Sequence, residues 1–176
     1  RQRAGFPAEL FNRLAKFGVG TPGQKLLDLG PGTGVLGRGF ARAGCNVVGL
    51  DPSAALLEQA RRLDGLEELT SEYLRAHAGS VPLEDHQFDI VSAGQCWHWF
   101  DRPQVAYEVR RLLNPEGRIV IAHFDWLPLA GNMFEATERL IEAFNPAWTL
   151  GGGVGMYPQW LVDLGTAGFV EIESFS

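Results

Sequence analysis

Two carboxylates and a run of glycines are the residues of this sequence best suited to hold one charged ligand. Asp28 is followed by Gly30, Gly32 and Gly34, and Asp51 stands about 20 residues further on. Glycine lacks a Cβ and tolerates positive φ, so a turn with alternating glycines can press its amides against a ligand while a helix starts beside it. Gly32, Gly34 and Gly37 also satisfy the G-x-G-x-x-G spacing of dinucleotide sites, where the position of Asp51 would bind a ribose. Asp28 argues for another ligand. A pyrophosphate at this turn would face its carboxylate, whereas a ligand carrying an ammonium and a sulfonium would be attracted to it.

These groups require a strand, a turn, a helix and a second strand in quick succession. Leu26, Leu27 and Leu29 suit a strand buried on both faces. Val35, Leu36, Phe40 and Ala43 make a helix that Gly44 ends, and Asn46 to Leu50 is the second strand. Asp51 then sits at a strand's carboxyl end, where ligands bind in this architecture. It can accept hydrogen bonds from two ribose hydroxyls, or cap the helix that begins after Pro52 and Ser53.

Beyond this frame, Ser53 to Leu63 is expected to be helical with Leu56, Leu57 and Ala60 inward, followed by a third strand near Glu72 to Ala78. A fourth strand is expected over Gln87 to Ala93. The next helix begins at Asp101 as N-cap with Pro103 in its first turn, and Asn114 to Gly117 stops it before a fifth strand, Arg118 to His123. At the N-terminus, Leu10, Phe11, Leu14 and Phe17 recur at helical spacing within residues 3–17. Residues 125–160 are insertion-like: Phe134, Leu140, Ile141 and Phe144 predict a helix, and Gly151, Gly152, Gly153 and Gly155 follow near Trp148 and Tyr157. That segment is either a substrate lid or a plain connector.

Asp28-Leu29-Gly30-Pro31-Gly32-Thr33-Gly34 resembles the first motif of class I S-adenosylmethionine-dependent methyltransferases, an acidic residue, one residue, then G-x-G-x-G. The resemblance continues through Asp51, Phe88-Asp89-Ile90-Val91 and the run Leu112 to Ile121, covering roughly residues 3 to 125. Gln95-Cys96-Trp97-His98-Trp99-Phe100-Asp101 is similar to the small-molecule branch that includes trans-aconitate methyltransferases.

The resemblance implies one α/β domain over residues 1–176 with a doubly wound, mostly parallel, Rossmann-like sheet. It implies S-adenosylmethionine as cofactor and S-adenosylhomocysteine as product. Asp28, Gly30, Gly32 and Gly34 would hold the amino-acid end, Asp51 the ribose, and Ser80 and Val81 the adenine edge, with Gln95 and Trp97 completing the cofactor site. Residues 3–17 would form a lid helix, in which Phe6 replaces the tyrosine of a similar R-x-G-Y-P opening. The family adds one more antiparallel strand beyond the terminal Val170, Ile172 and Phe175, so either the chain is truncated or that sheet edge is covered in another way.

Methyl transfer from a sulfonium needs alignment more than acid or base, and near-attack positioning alone can supply about 7–11 kcal/mol. A carboxylate acceptor needs no base, whereas a hydroxyl or protonated amine does. His98, between Trp97 and Trp99, is the candidate base, with a packing role as its alternative and His123 in reserve. The indole faces of Trp97 and Trp99 could stabilise a sulfonium, or the rings could simply pack in the core.

Composition narrows the partners. The net charge is −6 and the basic residues occur as scattered pairs such as Arg61-Arg62 and Arg110-Arg111, a pattern that suggests no phosphate-tracking stripe and argues against a nucleic acid substrate. No apolar run approaches the roughly 20 residues of a membrane span. Cys45 and Cys96, far apart, fit a reducing cytoplasm, and no metal-ligand spacing occurs. The resemblance implies a small organic acceptor, with a carboxylate, hydroxyl or amine as nucleophile. Two alternatives stand beside it: an NAD-dependent oxidoreductase, which shares the glycine turn, and a non-catalytic cofactor-binding domain.

Overall fold

A computed structural model of the chain describes residues 5–124, 129–148, 157–170 and 173–175. Their five strands are β1 (Lys25–Leu29), β2 (Asn46–Leu50), β3 (Glu72–Leu74), β4 (Phe88–Gly94) and β5 (Leu113–Ala122), paired in parallel in the order β3-β2-β1-β4-β5. The helices are α1 (Ala8–Lys16), α2 (Val35–Arg42), α3 (Ala54–Gly65), α4 (Arg102–Leu112), α5 (Met133–Phe144) and α6 (Pro158–Thr166). This is the Rossmann-like architecture expected from the alternating strands and helices.

Side-chain alternation along β1 divides the core. Leu27 and Leu29 join Val105, Val109 and Leu112 of α4 and Leu164 of α6 on one side. Leu26 joins Leu14 of α1 and Leu36 and Phe40 of α2 on the other. Asp28 shares the parity of Leu26 and is wholly buried beneath the start of α2. The same two-residue period that packs the leucines therefore aims the carboxylate at a helix N-terminus.

Several elements depart from the sequence expectations. The third strand stops at Leu74 rather than Ala78, and the chain instead turns back at His77–Ser80, where Ser80 N–H donates to the His77 carbonyl at 3.1 Å. The fifth strand begins at Leu113, directly after α4, and residues 114–117 bulge between the Phe88–Leu113 and Ile90–Arg118 pairs. Proline and glycine there interrupt the ladder without ending the strand. Leu56 is exposed, while Leu57 and Ala60 are buried as expected. The glycines at 151–155 and Ile172 lie outside the described residues. Among the described residues, no helix is long and apolar enough to cross a membrane.

The N-terminal helix packs closely on α2 at Gly39. Gly39 lets the Phe11 ring lie against the helix backbone, and that ring meets Phe40 edge-on at 5.2 Å. A methyl group at Gly39 would fall on the ring itself. Gly39→Ala should therefore displace α1 and cost about 1–3 kcal/mol in urea unfolding, as overpacking does elsewhere; unchanged stability would show that α1 is not seated there.

Candidate functional site

The turn between β1 and α2 is held at four points. Gly30 N–H donates to the Leu50 carbonyl at 2.8 Å, and Gly34 N–H donates to the Pro31 carbonyl at 2.8 Å. Gly32 N–H donates to Asp51 Oδ2 at 3.2 Å, and the Thr33 carbonyl accepts from Arg38 Nη2 at 2.8 Å. Gly30, Gly32 and Gly34 all have positive φ, 59°, 56° and 81°. A Cβ at Gly34 would meet the Tyr73 hydroxyl at 2.9 Å, whereas the same position at Gly32 opens into free space. Gly34 thus serves the protein side of the turn and Gly32 the ligand side.

Asp28 stands behind this turn. Its Oδ2 accepts the Gly37 N–H at 2.9 Å and its Oδ1 accepts the Ser92 hydroxyl at 2.7 Å. The first bond satisfies a donor in the opening turn of α2, where Gly34, the N-cap, has no side chain to do so. Burial pushes the Asp28 carboxyl up to about 7, against the pull of its two donors, and the nearby Asp51 charge adds to the rise. Asp51 itself is buried, and its other oxygen accepts the Ser53 N–H at 2.8 Å. The helix cap it could have supplied is instead Ser53, whose Oγ accepts from Leu56 N–H.

A cleft of about 1130 Å³ opens over the turn, lined in part by Asp28, Gly30, Gly32, Gly94, Gln95 and Phe124. Gln95 is a non-glycine residue at φ 61°, pinned by its N–H to the Ala122 carbonyl at 2.9 Å. Its side-chain amide nitrogen is buried without a hydrogen-bond partner among the described residues. A left-handed glutamine holding such a donor beside a cleft is a costly arrangement for packing alone.

The remaining expected residues are distributed differently. Trp97 is fully buried and packs edge-on against Phe100 at 5.9 Å, in the α4 and α6 core rather than on the cleft. Residues 97–99 form a 3₁₀ turn, whose three-residue period sends Trp97 and Phe100 inward together and leaves His98 and Trp99 exposed. Val81 is buried and its N–H is donated to Glu108 Oε1 at 2.7 Å, while Ser80 is exposed. Neither residue lines the cleft at the turn.

His98 belongs to a second group at the same end of the sheet. Its ring lies 5.2 Å from His123, which follows β5, and 4.8 Å from Trp99. His123 in turn meets Tyr157 and Trp160 edge-on at 5.5 and 5.7 Å, and those two rings stack at 4.0 Å. Loops after β4 and β5 and the start of α6 thus bring two imidazoles and three aromatic rings together. Phe124, next to His123, lines the cleft and stacks on Phe6 at 4.6 Å, which links this group to the cleft.

The glycine turn, the two acids behind it and the parallel sheet define a class, and comparison with known proteins places the chain within it. A family model described as a methyltransferase domain matches residues 27–121. The chain belongs to this family, the class I S-adenosylmethionine-dependent methyltransferases. It is 34% identical over 119 residues to an uncharacterised methyltransferase of Mycobacterium tuberculosis, an alignment covering 68% of this chain and 46% of the relative. It is 36% identical over 109 residues to the demethylmenaquinone methyltransferase of Clavibacter sepedonicus, covering 61% and 44% of the two chains. Among solved structures it resembles a Haemonchus contortus phosphoethanolamine N-methyltransferase in complex with phosphomonomethylethanolamine and S-adenosylhomocysteine. The TM-score is 0.68 at 25% identity, over 94% of this chain and 37% of the other. The chain spans about half the length of the curated relatives it matches.

The residues present fit S-adenosylmethionine. The open side of Gly32 gives a flat backbone approach, the buried Gln95 amide offers a donor, and Asp51 at the end of β2 offers carboxylate oxygens that a ribose hydroxyl can reach. The raised Asp28 pKa sets a pH signature. A carboxyl that holds its proton more tightly when folded contributes stability that is fully present below about pH 4 and is lost as pH rises towards 7. Urea unfolding of wild type and Asp28→Asn at several pH values should show wild type losing ground to the variant between pH 4 and 7, with the difference flat above pH 8. A pH-independent difference would mean that Asp28 titrates as an ordinary carboxylate.

Proposed function

We propose that this domain transfers a methyl group from S-adenosylmethionine to a small organic acceptor. The observation that carries this reading is the turn at the carboxyl end of β1, whose open Gly32 face lies beside the buried Gln95 amide in one cleft. When bound, the cofactor supplies an electrophilic methyl group on a sulfonium that departs as a neutral thioether. Gly30, Gly32 and Gln95 would hold its amino-acid end, with Asp28 and Gly34 acting by fixing the turn. Asp51 would hold the ribose, exchanging its bond to Gly32 or Ser53 for a hydroxyl. Ser80 and Val81 would flank the adenine edge; of the two, Ser80 has the exposed polar group, because the Val81 N–H is engaged by Glu108.

The acceptor is assigned to the group formed by His98, His123, Trp99, Tyr157 and Trp160, which adjoins the cleft at Phe124. Aromatic faces there provide apolar contact for a small molecule, and the exposed His98 imidazole can accept a proton from a hydroxyl or ammonium group. A net charge of −6 disfavours a nucleic acid acceptor. In this reading α1, whose Phe11 lines the cleft, is its cover, and residues 125–160 would serve as the substrate lid expected from the sequence, since loops beyond strand ends are where α/β enzymes set specificity.

Two measurements test the reading. In a thermal-shift titration, S-adenosylhomocysteine at 100 times its Kd should add about 2.7 kcal/mol and raise Tm by roughly 5–10 °C, with NADH giving no shift. A shift with NADH alone would overturn the cofactor assignment, and no shift with either would favour a non-catalytic domain. For the acceptor, His98→Asn should leave S-adenosylhomocysteine affinity within about twofold and lower kcat about 10²-fold or more for hydroxyl or amine acceptors. Carboxylate acceptors should be unaffected, so the panel also sorts the acceptor's nucleophile; full activity towards every acceptor would remove His98 from the chemistry.

A further inference from the structure

Beneath the cofactor turn lies a buried polar assembly that the cofactor motif does not include. Arg38, in the middle of α2, has a side chain 7% exposed, and its Nε donates to Asp64 Oδ1 of α3 at 2.9 Å. The same guanidinium donates through Nη2 to the Thr33 carbonyl at 2.8 Å and makes a longer contact, 3.5 Å, with the Ala60 carbonyl. The other Asp64 oxygen accepts the Tyr73 hydroxyl of β3 at 2.8 Å. Tyr73 lies over Gly49 of β2 and stands against Gly34, where a Cβ would be 2.9 Å from its hydroxyl and 3.1 Å from Arg38 Nη2.

A buried pair of charges is poor evidence of stability, because well-packed apolar residues often serve as well or better. What an ion pair adds is direction. The guanidinium is a planar fork of donors with fixed geometry, and here one side grips a carboxylate while the other grips the backbone of the glycine turn. Asp64 is held in place from the opposite side by a phenol on another strand. Glycine residues leave a turn conformationally free, so a turn with three of them at positive φ needs an external anchor to be presented in one shape. The Leu50 carbonyl and Asp51 supply such anchors at the Gly30 and Gly32 amides, and Arg38 supplies one from α2 at the Thr33 carbonyl.

We propose that Arg38, backed by Asp64 and Tyr73, is a positioning residue for cofactor binding: it fixes the Thr33 carbonyl and thereby preorganises the glycine turn that receives the amino-acid end of the ligand. The inference rests on the cofactor assignment above. It separates affinity from folding, because removing both charges together should leave a folded domain with a loosened turn.

The test compares two ligands by calorimetry. S-adenosylhomocysteine carries the amino-acid end, and 5′-methylthioadenosine lacks it. In the double variant Arg38→Met/Asp64→Leu, assayed well below its Tm, Kd for S-adenosylhomocysteine should rise about tenfold or more, the effect of losing one charge-assisted hydrogen bond. Kd for methylthioadenosine should stay within about twofold. Tyr73→Phe and Arg38→Lys, which change the assembly least, should show the same selective loss several-fold smaller, and they decide the matter if the double variant does not fold. Equal weakening of both ligands would mean a general structural role and overturn the proposal, as would unchanged affinity in folded variants. Wild type that binds neither ligand would instead overturn the cofactor assignment on which it rests.

Discussion

A carboxylate with no solvent exposure, at the second-to-last position of the central strand, constrains everything built above it. Removing Asp28 from water is expensive, and the structure offsets that cost with one donor from β4 and one from α2. Those two bonds tie the middle of the sheet to the first turn of the helix. They also explain Gly37, where a Cβ would stand 2.9 Å from Asp28 Oδ2. Once strand and helix are locked in this way, the five residues between them have only a few routes to take, and glycine is needed to follow any of them.

Around that lock, the structure spreads the work of presenting a ligand over several elements. The turn receives an anchor from the end of β2 through Asp51 and another from α2 through Arg38. On the opposite side of the cleft, β4 and β5 are joined beyond their ends by the Gln95 to Ala122 hydrogen bond, which sets Gln95 and everything after it. The 3₁₀ turn that follows turns Trp97 into the core and His98 outward, towards the ring that β5 delivers in His123. The groups proposed for cofactor and acceptor would therefore come from adjacent strand ends and share one fixed point, the Gln95 to Ala122 hydrogen bond.

How much of this could be read from residues alone depended on whether the cause was local. The β1 turn, α2 and β2 were legible because strand alternation, glycine spacing and the Asp51 position all act within a few residues of one another. Trp97, which the family resemblance assigns to the cofactor, is turned into the core instead by the three-residue period of residues 97–99, a local geometry that a motif match does not carry. The engagement of the Val81 amide by Glu108 was invisible, since the two lie on different elements and 27 residues apart. Arg38 did leave a trace, a lone charge inside the otherwise apolar run Val35 to Phe40. Its partners Asp64 and Tyr73 look like ordinary surface residues until the fold brings them together.

The stacked rings of Phe6 and Phe124 form part of the wall of the cleft and also part of the wall of a second cavity, about 940 Å³, which is lined by β5, α1, Phe169 and Phe175. One pair of side chains thus serves as a common partition. Any movement of that pair that enlarges one space changes the shape of the other.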